Sequence, residues 1–250
     1  MRAMPDHLPG EFAAVFADPA QPTIIGGQAV NLWAEFYSAR APELAAFRPF
    51  VSKDGDVWAD RRTVVAIRDR TGWKCQFYDE PRTHAVALLT KEIPGKDEPL
   101  RVEVLKDVYG LTHEDLAKSA VIHSAQSGNV RLLEPAPLLK GKIATLASFK
   151  VTERPNDARH IRLLIPITRL NFADRVTAAE SGTITERDAI ASLRYFANLA
   201  ASPRAKTQAR EHDFDFSAAL PTDLAQSKSE KIRNFATREL ARLRAGIFAP

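Results

Sequence analysis

The sequence predicts an α+β protein in which a β-sheet with helices is followed by a mostly helical C-terminal domain. Two observations predict this fold class. In the first half of the chain, short runs of alternating apolar and polar residues are typical of half-buried strands. After Pro135 and Pro137, apolar residues instead recur at spacings of three and four, as they do in helices. We therefore expect two domains, residues 1–134 and residues 135–250.

The first domain begins with a short predicted strand over residues 22–25 that runs through Gly26 and Gly27 into a helix over about residues 28–38. Further strand-like runs cover residues 50–58, 73–78, 84–90, 100–108 and 130–133. Residues 63–67 fit either a strand or a short helix. The capping box that starts at Thr112 predicts a helix over about residues 113–123.

The second domain shows helical spacing in four segments, interrupted by prolines that break helices. The segments are residues 138–150, 157–164, 185–201 and 229–245, and the prolines are Pro155, Pro166, Pro203 and Pro221.

Composition excludes several classes of protein. The single cysteine, Cys75, can form neither an internal disulfide nor a cysteine-cluster zinc site. Nowhere do eighteen apolar residues stand together, so we expect no membrane contact and a cytoplasmic location. No phosphate-binding Walker loop, serine-hydrolase elbow or dinucleotide fingerprint occurs. The net charge of +4 is compatible with a polyanionic partner.

Paired carboxylates suggest a metal site. Asp54 and Asp56 are two residues apart, and strand alternation would place both on one face of a sheet. A hard divalent cation takes such oxygen ligands. Glu103, in a strand-like run, is the candidate third carboxylate, with Asp107 as the fallback. A turn also suits Asp-x-Asp around Gly55, so a purely structural interpretation stays open.

A phosphate site is expected where the first strand meets the first helix. The free backbone amides and partial positive charge of a helix N-terminus favour phosphate groups. Gly26 and Gly27 would let the phosphates approach the backbone closely.

These segments resemble the polymerase-beta-like nucleotidyltransferases. Ile25-Gly-Gly-Gln-Ala-Val-Asn-Leu-Trp33 is similar to their glycine motif, and Ser52-Lys-Asp-Gly-Asp-Val-Trp58 to their paired acidic motif. The likeness extends over about residues 20–165 and is strongest to the abortive-infection toxin nucleotidyltransferases of the AbiEii type. It implies a mixed sheet, a nucleoside triphosphate substrate, and Mg2+ or Mn2+ held by Asp54, Asp56 and Glu103.

The resemblance also assigns roles to the segments at 138–146 and 154–161, which are similar to the family's lysine helix and the Arg/Asp segment after it. It implies that Lys142 contacts the triphosphate, with Lys140 as the alternative. Asp157 would act as a base or as an orienting group. Two departures stand out: Gly55 replaces the usual aliphatic residue and would leave a hole in the opposite sheet face, and the third acid is Glu103 rather than aspartate.

Three functions follow from these expectations. The first is an enzyme that moves a nucleoside monophosphate to an acceptor, such as a tRNA end, a protein hydroxyl or a small drug. The second is a toxin whose main observable is binding to a protein antitoxin, and the third is a degenerate nucleotidyltransferase fold that serves as a binding module.

Two further features have two interpretations each. Trp58 is a core residue or a base-stacking platform, and a basic helix over residues 228–244 is either a solvated surface or an RNA contact.

Overall fold

The computed structural model describes residues 6–80, 83–96, 98–150, 154 and 156–242. The chain divides into two compact units, Met1–Gly141 and Lys142–Pro250. The boundary expected between residues 134 and 135 stays a prediction.

Unit 1 is built on a mixed seven-stranded sheet, counted over the described residues. Its strands are β1 (Thr23–Ile25), β2 (Gly55–Trp58), β3 (Lys74–Phe77), β4 (Ala85–Lys91), β5 (Leu100–Leu105), β6 (Ser119–Ser124) and β7 (Gly128–Leu133). Their spatial order is β3-β4-β5-β2-β1-β7-β6. β1 is parallel to β7 and β2 is parallel to β5, whereas the other neighbours are antiparallel.

Helices complete unit 1 and make up the regular structure described in unit 2. They are α1 (Ala13–Phe16), α2 (Gly26–Tyr37), α3 (Arg61–Thr71), α4 (His113–Leu116), α5 (Pro135–Ser148), α6 (Asp157–Glu180), α7 (Glu186–Ala201), α8 (Pro203–His212) and α9 (Glu230–Asn234), the last continued by a π-helical turn, Phe235–Leu240. The predicted α+β class, with a helical second half, is confirmed. In the part of the chain that the structure describes, none of these helices combines the length and apolarity needed to cross a membrane.

The helix predicted over residues 113–123 is wrong beyond its first turn. The capping box forms, since the Thr112 side chain accepts from the Asp115 amide and the Asp115 side chain accepts from the Thr112 amide. The helix nevertheless ends at Leu116, and β6 follows, with Ile122 paired to Val130 of β7. Pairing with a neighbouring strand overrides the local helical signal here.

The break predicted at Pro166 is also wrong, because α6 continues through it to Glu180. A proline inside a helix removes one backbone hydrogen bond. The buried side chains on both sides of Pro166, such as Leu164 and Ile167, keep the helix packed. Residues 63–67, which fitted two interpretations, are helical within α3, which Asp60 caps.

The two faces of the sheet differ near the middle of β2 and β5. Val57, Val102 and Val104 are fully buried on one face. The alternate residues are less buried: Asp56 and Trp58 are partly exposed, and Glu103 is exposed. The open face therefore carries the acidic residues.

Gly55 does not leave a hole in the buried face. A Cβ at this position would lie 3.0 Å from Cζ of Phe16 and 3.2 Å from Cγ2 of Val102. Phe16 is itself buried, so its ring occupies the volume that an aliphatic residue would fill. The expected loosening of the strand is corrected: glycine is needed here because Phe16 packs directly against the backbone.

We predict that Gly55→Ala lowers the free energy of unfolding by about 1–3 kcal/mol, the cost of overpacking a filled core. Urea denaturation would measure the loss. Phe16→Leu should lose stability alone, but the double variant should lose less than the sum of the two, because the smaller leucine makes room for the methyl group. A Gly55→Ala protein as stable as the wild type would contradict this account of the packing.

Candidate active site

The carboxylate of Asp56 lies against Gly26 at the start of α2. Antiparallel pairing of β1 and β2 places Asp56 opposite Ile25, the residue before Gly26. Gly26 has φ +65°, and a Cβ there would lie only 2.9 Å from Cγ of Asp56. Both the backbone conformation and the lack of space therefore require glycine.

Glu103 is the lateral neighbour of Asp56. β2 and β5 are parallel, and their register pairs Asp56 with Glu103, so both side chains project from the same face. Adjacent strands are about 4.8 Å apart, which brings two carboxyl groups side by side. Like charges that face each other across neighbouring strands destabilise a sheet, so two acidic residues are unusual at these paired positions.

Asp54 precedes β2 by one residue, in an exposed bend. The expected strand that carries both aspartates on one face is therefore shorter than predicted, and only Asp56 lies in it. The segment just before the bend is anchored, because Ser52 exchanges backbone hydrogen bonds with His7. The buried amide of Gln28 in α2 donates to the carbonyl oxygens of both residues, at 3.1 Å and 3.4 Å.

Sequence reasoning missed this positioning role of Gln28. The available signal was a polar residue next to Gly27, at the start of a helix whose residues are mostly apolar. Gln28 is fully buried and also accepts from Asn31 at 3.4 Å. It thus ties the start of α2 to the segment that leads into the acidic residues.

Whether Asp54, Asp56 and Glu103 could hold a metal ion depends on how many of their carboxylates lie close together. Over the described ranges, no group of three or more His, Cys, Asp or Glu side chains lies close enough to hold a metal ion. Asp54, Asp56 and Glu103 therefore do not form a three-ligand cluster, and Asp107 lies beyond the end of β5. Mg2+ is commonly held by one or two carboxylates, with water and substrate phosphates completing the shell. Asp56 and Glu103 fit that smaller set, and the metal role of all three residues stays a prediction.

The N-terminus of α2 adds positive potential beside this pair. The residue before the helix is Ile25, whose apolar side chain cannot cap it. The amides of Gly26 and Gly27 lie in the first turn, where backbone N–H groups have no partner within the helix. A negative charge is favoured there, which accounts for the closeness of Asp56 and suits a phosphate beside it.

Comparison with solved structures finds similar chains. The chain is similar to an antigenic nucleotidyltransferase-like protein from Paracoccidioides brasiliensis, known from a crystal structure. The two are 14% identical, the similarity covers 88% of this chain and 98% of that chain, and the TM-score is 0.43. No protein-family model matches the sequence, and no curated protein does.

In unit 2, Lys142 and Asp157 form an ion pair. The Lys142 ammonium donates to Oδ1 of Asp157 at 2.7 Å, and the Thr145 hydroxyl donates to Oδ2 at 2.7 Å. The side chains of the ion pair are only 11% and 3% exposed. Both oxygens of Asp157 are thus held by donors, which suits an orienting group better than a base.

His160 is buried next to this pair. Burial is the main reason that its pKa lies well below the usual 6.5, and the charges of Lys142 and Arg159 lower it further. The ring is therefore neutral at pH 7. Within the described part of the chain, neither ring nitrogen has a hydrogen-bond partner.

Lys140, the alternative lysine, has a different partner. Its ammonium donates to Oδ2 of Asp115 at 2.6 Å. The same carboxylate oxygen accepts from the Thr112 amide and hydroxyl, so Lys140 is tied to the capping box of α4. The two lysines therefore serve separate carboxylates.

The basic segment predicted over residues 228–244 is partly engaged inside unit 2, and its residues 243–244 lie outside the described residues. Lys231 pairs with Glu186 at 2.9 Å. Arg233 donates to two backbone carbonyls, at 2.6 Å and 2.8 Å. An RNA contact by this segment stays a prediction.

Gly26 and Gly72 offer a matched pair of glycine substitutions. Both have positive φ, at +65° and +68°, but a Cβ at Gly72 would meet no atom within 4 Å. We predict that Gly26→Ala lowers the free energy of unfolding by about 1–3 kcal/mol more than Gly72→Ala does, because only the former overlaps Asp56. Equal losses in urea denaturation would show that backbone conformation alone explains Gly26.

Lys142→Met should be strongly destabilising, because it leaves a buried carboxylate without its cation. We expect a loss of about 3–5 kcal/mol, with much of it recovered in the Lys142→Met/Asp157→Asn double variant. Lys140→Met is the control and should lose less, because Asp115 keeps two hydrogen bonds from Thr112 and has a second cation, Lys118, at 3.9 Å. Thermal and urea unfolding of these four proteins and of the Asp157→Asn single variant would measure the coupling, and additive losses in the double variant would contradict it.

Proposed function

We propose that the chain is a nucleotidyltransferase of the polymerase-beta type, which uses Mg2+ or Mn2+ to move a nucleoside monophosphate from a nucleoside triphosphate to an acceptor. One observation carries the proposal. The Asp56 carboxylate lies against Gly26 at the N-terminus of α2, with Glu103 beside it on the next strand.

This arrangement serves phosphate chemistry because it places an anion-binding helix end next to a cation-binding carboxylate pair. A divalent ion, when bound, would neutralise charge on the phosphates and on the attacking oxygen. Asp56 and Glu103 would hold it, and Asp54 would supply a further carboxylate from the bend before β2. The amides of Gly26 and Gly27 would stabilise the charge that develops on the leaving pyrophosphate.

The transfer step is an in-line displacement. The acceptor hydroxyl oxygen attacks the α-phosphorus, a new P–O bond forms, and the P–O bond to pyrophosphate breaks. The hydroxyl proton passes to a carboxylate, for which we propose Glu103, because it is the more exposed of the pair.

Lys142 and Asp157 are proposed to act together on the triphosphate. The Lys142 ammonium would contact phosphate oxygens, and Asp157 would hold it in position. Support comes from the ion pair itself, in which both oxygens of Asp157 accept hydrogen bonds and leave the carboxylate poorly suited to take a proton.

The acceptor is proposed to be an RNA end, such as that of a tRNA, or a protein hydroxyl. The net charge of +4 favours a polyanion. The resemblance to AbiEii-type toxins adds a proposed role in abortive infection with a protein antitoxin. Co-purification with the product of a neighbouring small gene would test that partner.

A degenerate fold that only binds nucleotide is the second candidate. Its support is the position of Asp54 outside β2, together with the lack of a three-ligand group among the described residues. Such a protein would bind triphosphates without labelling any acceptor.

We predict that Asp56→Asn and Glu103→Gln abolish transfer without loss of stability. Asparagine and glutamine keep the shape of the acids and remove one of two adjacent like charges, so the free energy of unfolding should change by no more than about 1 kcal/mol. The assay incubates each α-labelled triphosphate with Mg2+, total RNA or cell lysate, and each variant, and identifies the labelled macromolecule.

Glu92→Gln is the control for this assay, since Glu92 is an exposed carboxylate paired with Lys74 at the end of β4. It should transfer as the wild type does. Wild-type rates in Asp56→Asn and Glu103→Gln would overturn the assignment of the site, and binding without transfer by the wild-type protein would favour the second candidate.

A further inference from the structure

A cavity of about 430 Å3 opens in unit 1 beside the end of β2. Its walls include Thr23, Trp58, Asp60, Lys106 and His113. Pockets that bind small molecules have volumes of about 300–1,000 Å3, so this one is large enough for a ligand of nucleoside size.

The cavity lies on the same face of the sheet as the carboxylate pair. Trp58 is two residues after Asp56 on β2, so their side chains share a face. Thr23 is paired with Trp58 across β1 and β2, which puts it on that face too. Two residues of a strand span about 6.8 Å, a separation that the sugar of one nucleotide can bridge.

The indole of Trp58 is held in a fixed orientation. Its N–H donates to the Lys106 carbonyl at 3.1 Å. Its ring also makes an edge-to-face contact with His113, with centroids 5.2 Å apart and planes at 80°. The cavity thus has a rigid aromatic wall, formed by the only one of the three tryptophans that is not buried.

Charged groups of both signs stand beside this wall. Asp60 accepts from the Thr63 amide at 2.8 Å. That backbone bond is the main reason that the pKa of Asp60 is lowered, so its carboxylate is an ionised acceptor at neutral pH. Lys106 brings an ammonium donor. A flat ring that carries both N–H donors and acceptors could stack on the aromatic wall and form hydrogen bonds with both charged groups. An aliphatic ligand or a purely anionic ligand could make only some of these contacts.

We propose that this cavity binds the base of the nucleoside triphosphate, with the phosphates extending along β2 to Asp56 and Gly26. The proposal rests on the proposed function, since that function supplies the nucleotide. It adds the position of the base and the residues that contact it: Trp58 by stacking, His113 by an edge contact, and Asp60 and Lys106 by hydrogen bonds.

The full chain is titrated with each nucleoside triphosphate plus Mg2+, with inorganic tripolyphosphate plus Mg2+, and with each nucleoside alone. Tryptophan emission and its quenching by acrylamide report on Trp58, because Trp33 and Trp73 are only 2% and 3% exposed. We expect a triphosphate and its nucleoside to shield the fluorescence from quenching. Tripolyphosphate should bind without shielding it.

Variants then test the contact by calorimetry. Trp58→Leu should weaken triphosphate binding roughly fivefold to a hundredfold, the range for loss of base stacking, and leave tripolyphosphate binding unchanged. Trp58→Phe should retain most of the affinity. Trp73→Phe is the matched control at a buried tryptophan and should bind as the wild type does, and thermal unfolding checks that each variant is folded.

Each outcome separates the two proposals. Transfer that proceeds while Trp58→Leu binds triphosphate normally overturns the base site and leaves the proposed function standing. Nucleoside shielding in a wild-type protein that transfers nothing supports the base site and overturns the function. Shielding by an RNA oligonucleotide, but by no nucleoside or triphosphate, overturns the base site because the cavity would then belong to the acceptor.

Discussion

The register of β1 against β2 is the constraint on which the candidate site depends. β1 has only three residues, is paired on both sides, and leads directly into α2. Its pairing sets Asp56 opposite Ile25 and so beside the backbone of Gly26. A slip of one residue would turn Asp56 into the core and bring Val57 to the open face. The burial of Val57 therefore fixes the position of the Asp56 carboxylate. The hydrophobic contacts that stabilise the sheet also determine the face from which this carboxylate projects.

Three consecutive residues around β2 meet three different constraints. Gly55 is pressed from the buried side by Phe16, so the strand backbone lies closer to the core than a larger residue would allow. Asp56, on the other face, is limited by Gly26 and by the charge of its neighbour Glu103. Asp54 lies outside the strand, in an exposed bend. Close packing on the buried face and solvent on the open face suit a site in which the Asp56 carboxylate is fixed and the exposed Asp54 carboxylate can adjust to a ligand.

Local patterns predict most of the elements, and contacts between residues distant in sequence explain the main failures. The alternation in the strands and the capping box at Thr112 are properties of neighbouring residues, and both are present in the structure. The helix past Leu116 failed because β6 gains its hydrogen bonds from β7, which no local pattern encodes. The sequence predicts that Gly26 and Asp56 belong to one site, but their direct contact depends on the register of β1 against β2. The hole expected at Gly55 depended on Phe16, whose approach is a matter of tertiary packing.

The Lys142–Asp157 ion pair limits how Lys142 could take the phosphate-binding role that we propose for it. Breaking the pair would strand a carboxylate that is almost fully buried, so Lys142 cannot leave Asp157 to reach a ligand without a large cost. An ammonium has three N–H donors, and the bond to Asp157 uses one of them. The neutral ring of His160 adds no competing positive charge beside it. In the proposed role, Lys142 would keep its structural bond and offer its other donors to an anion, and Asp157 would fix the direction of those donors.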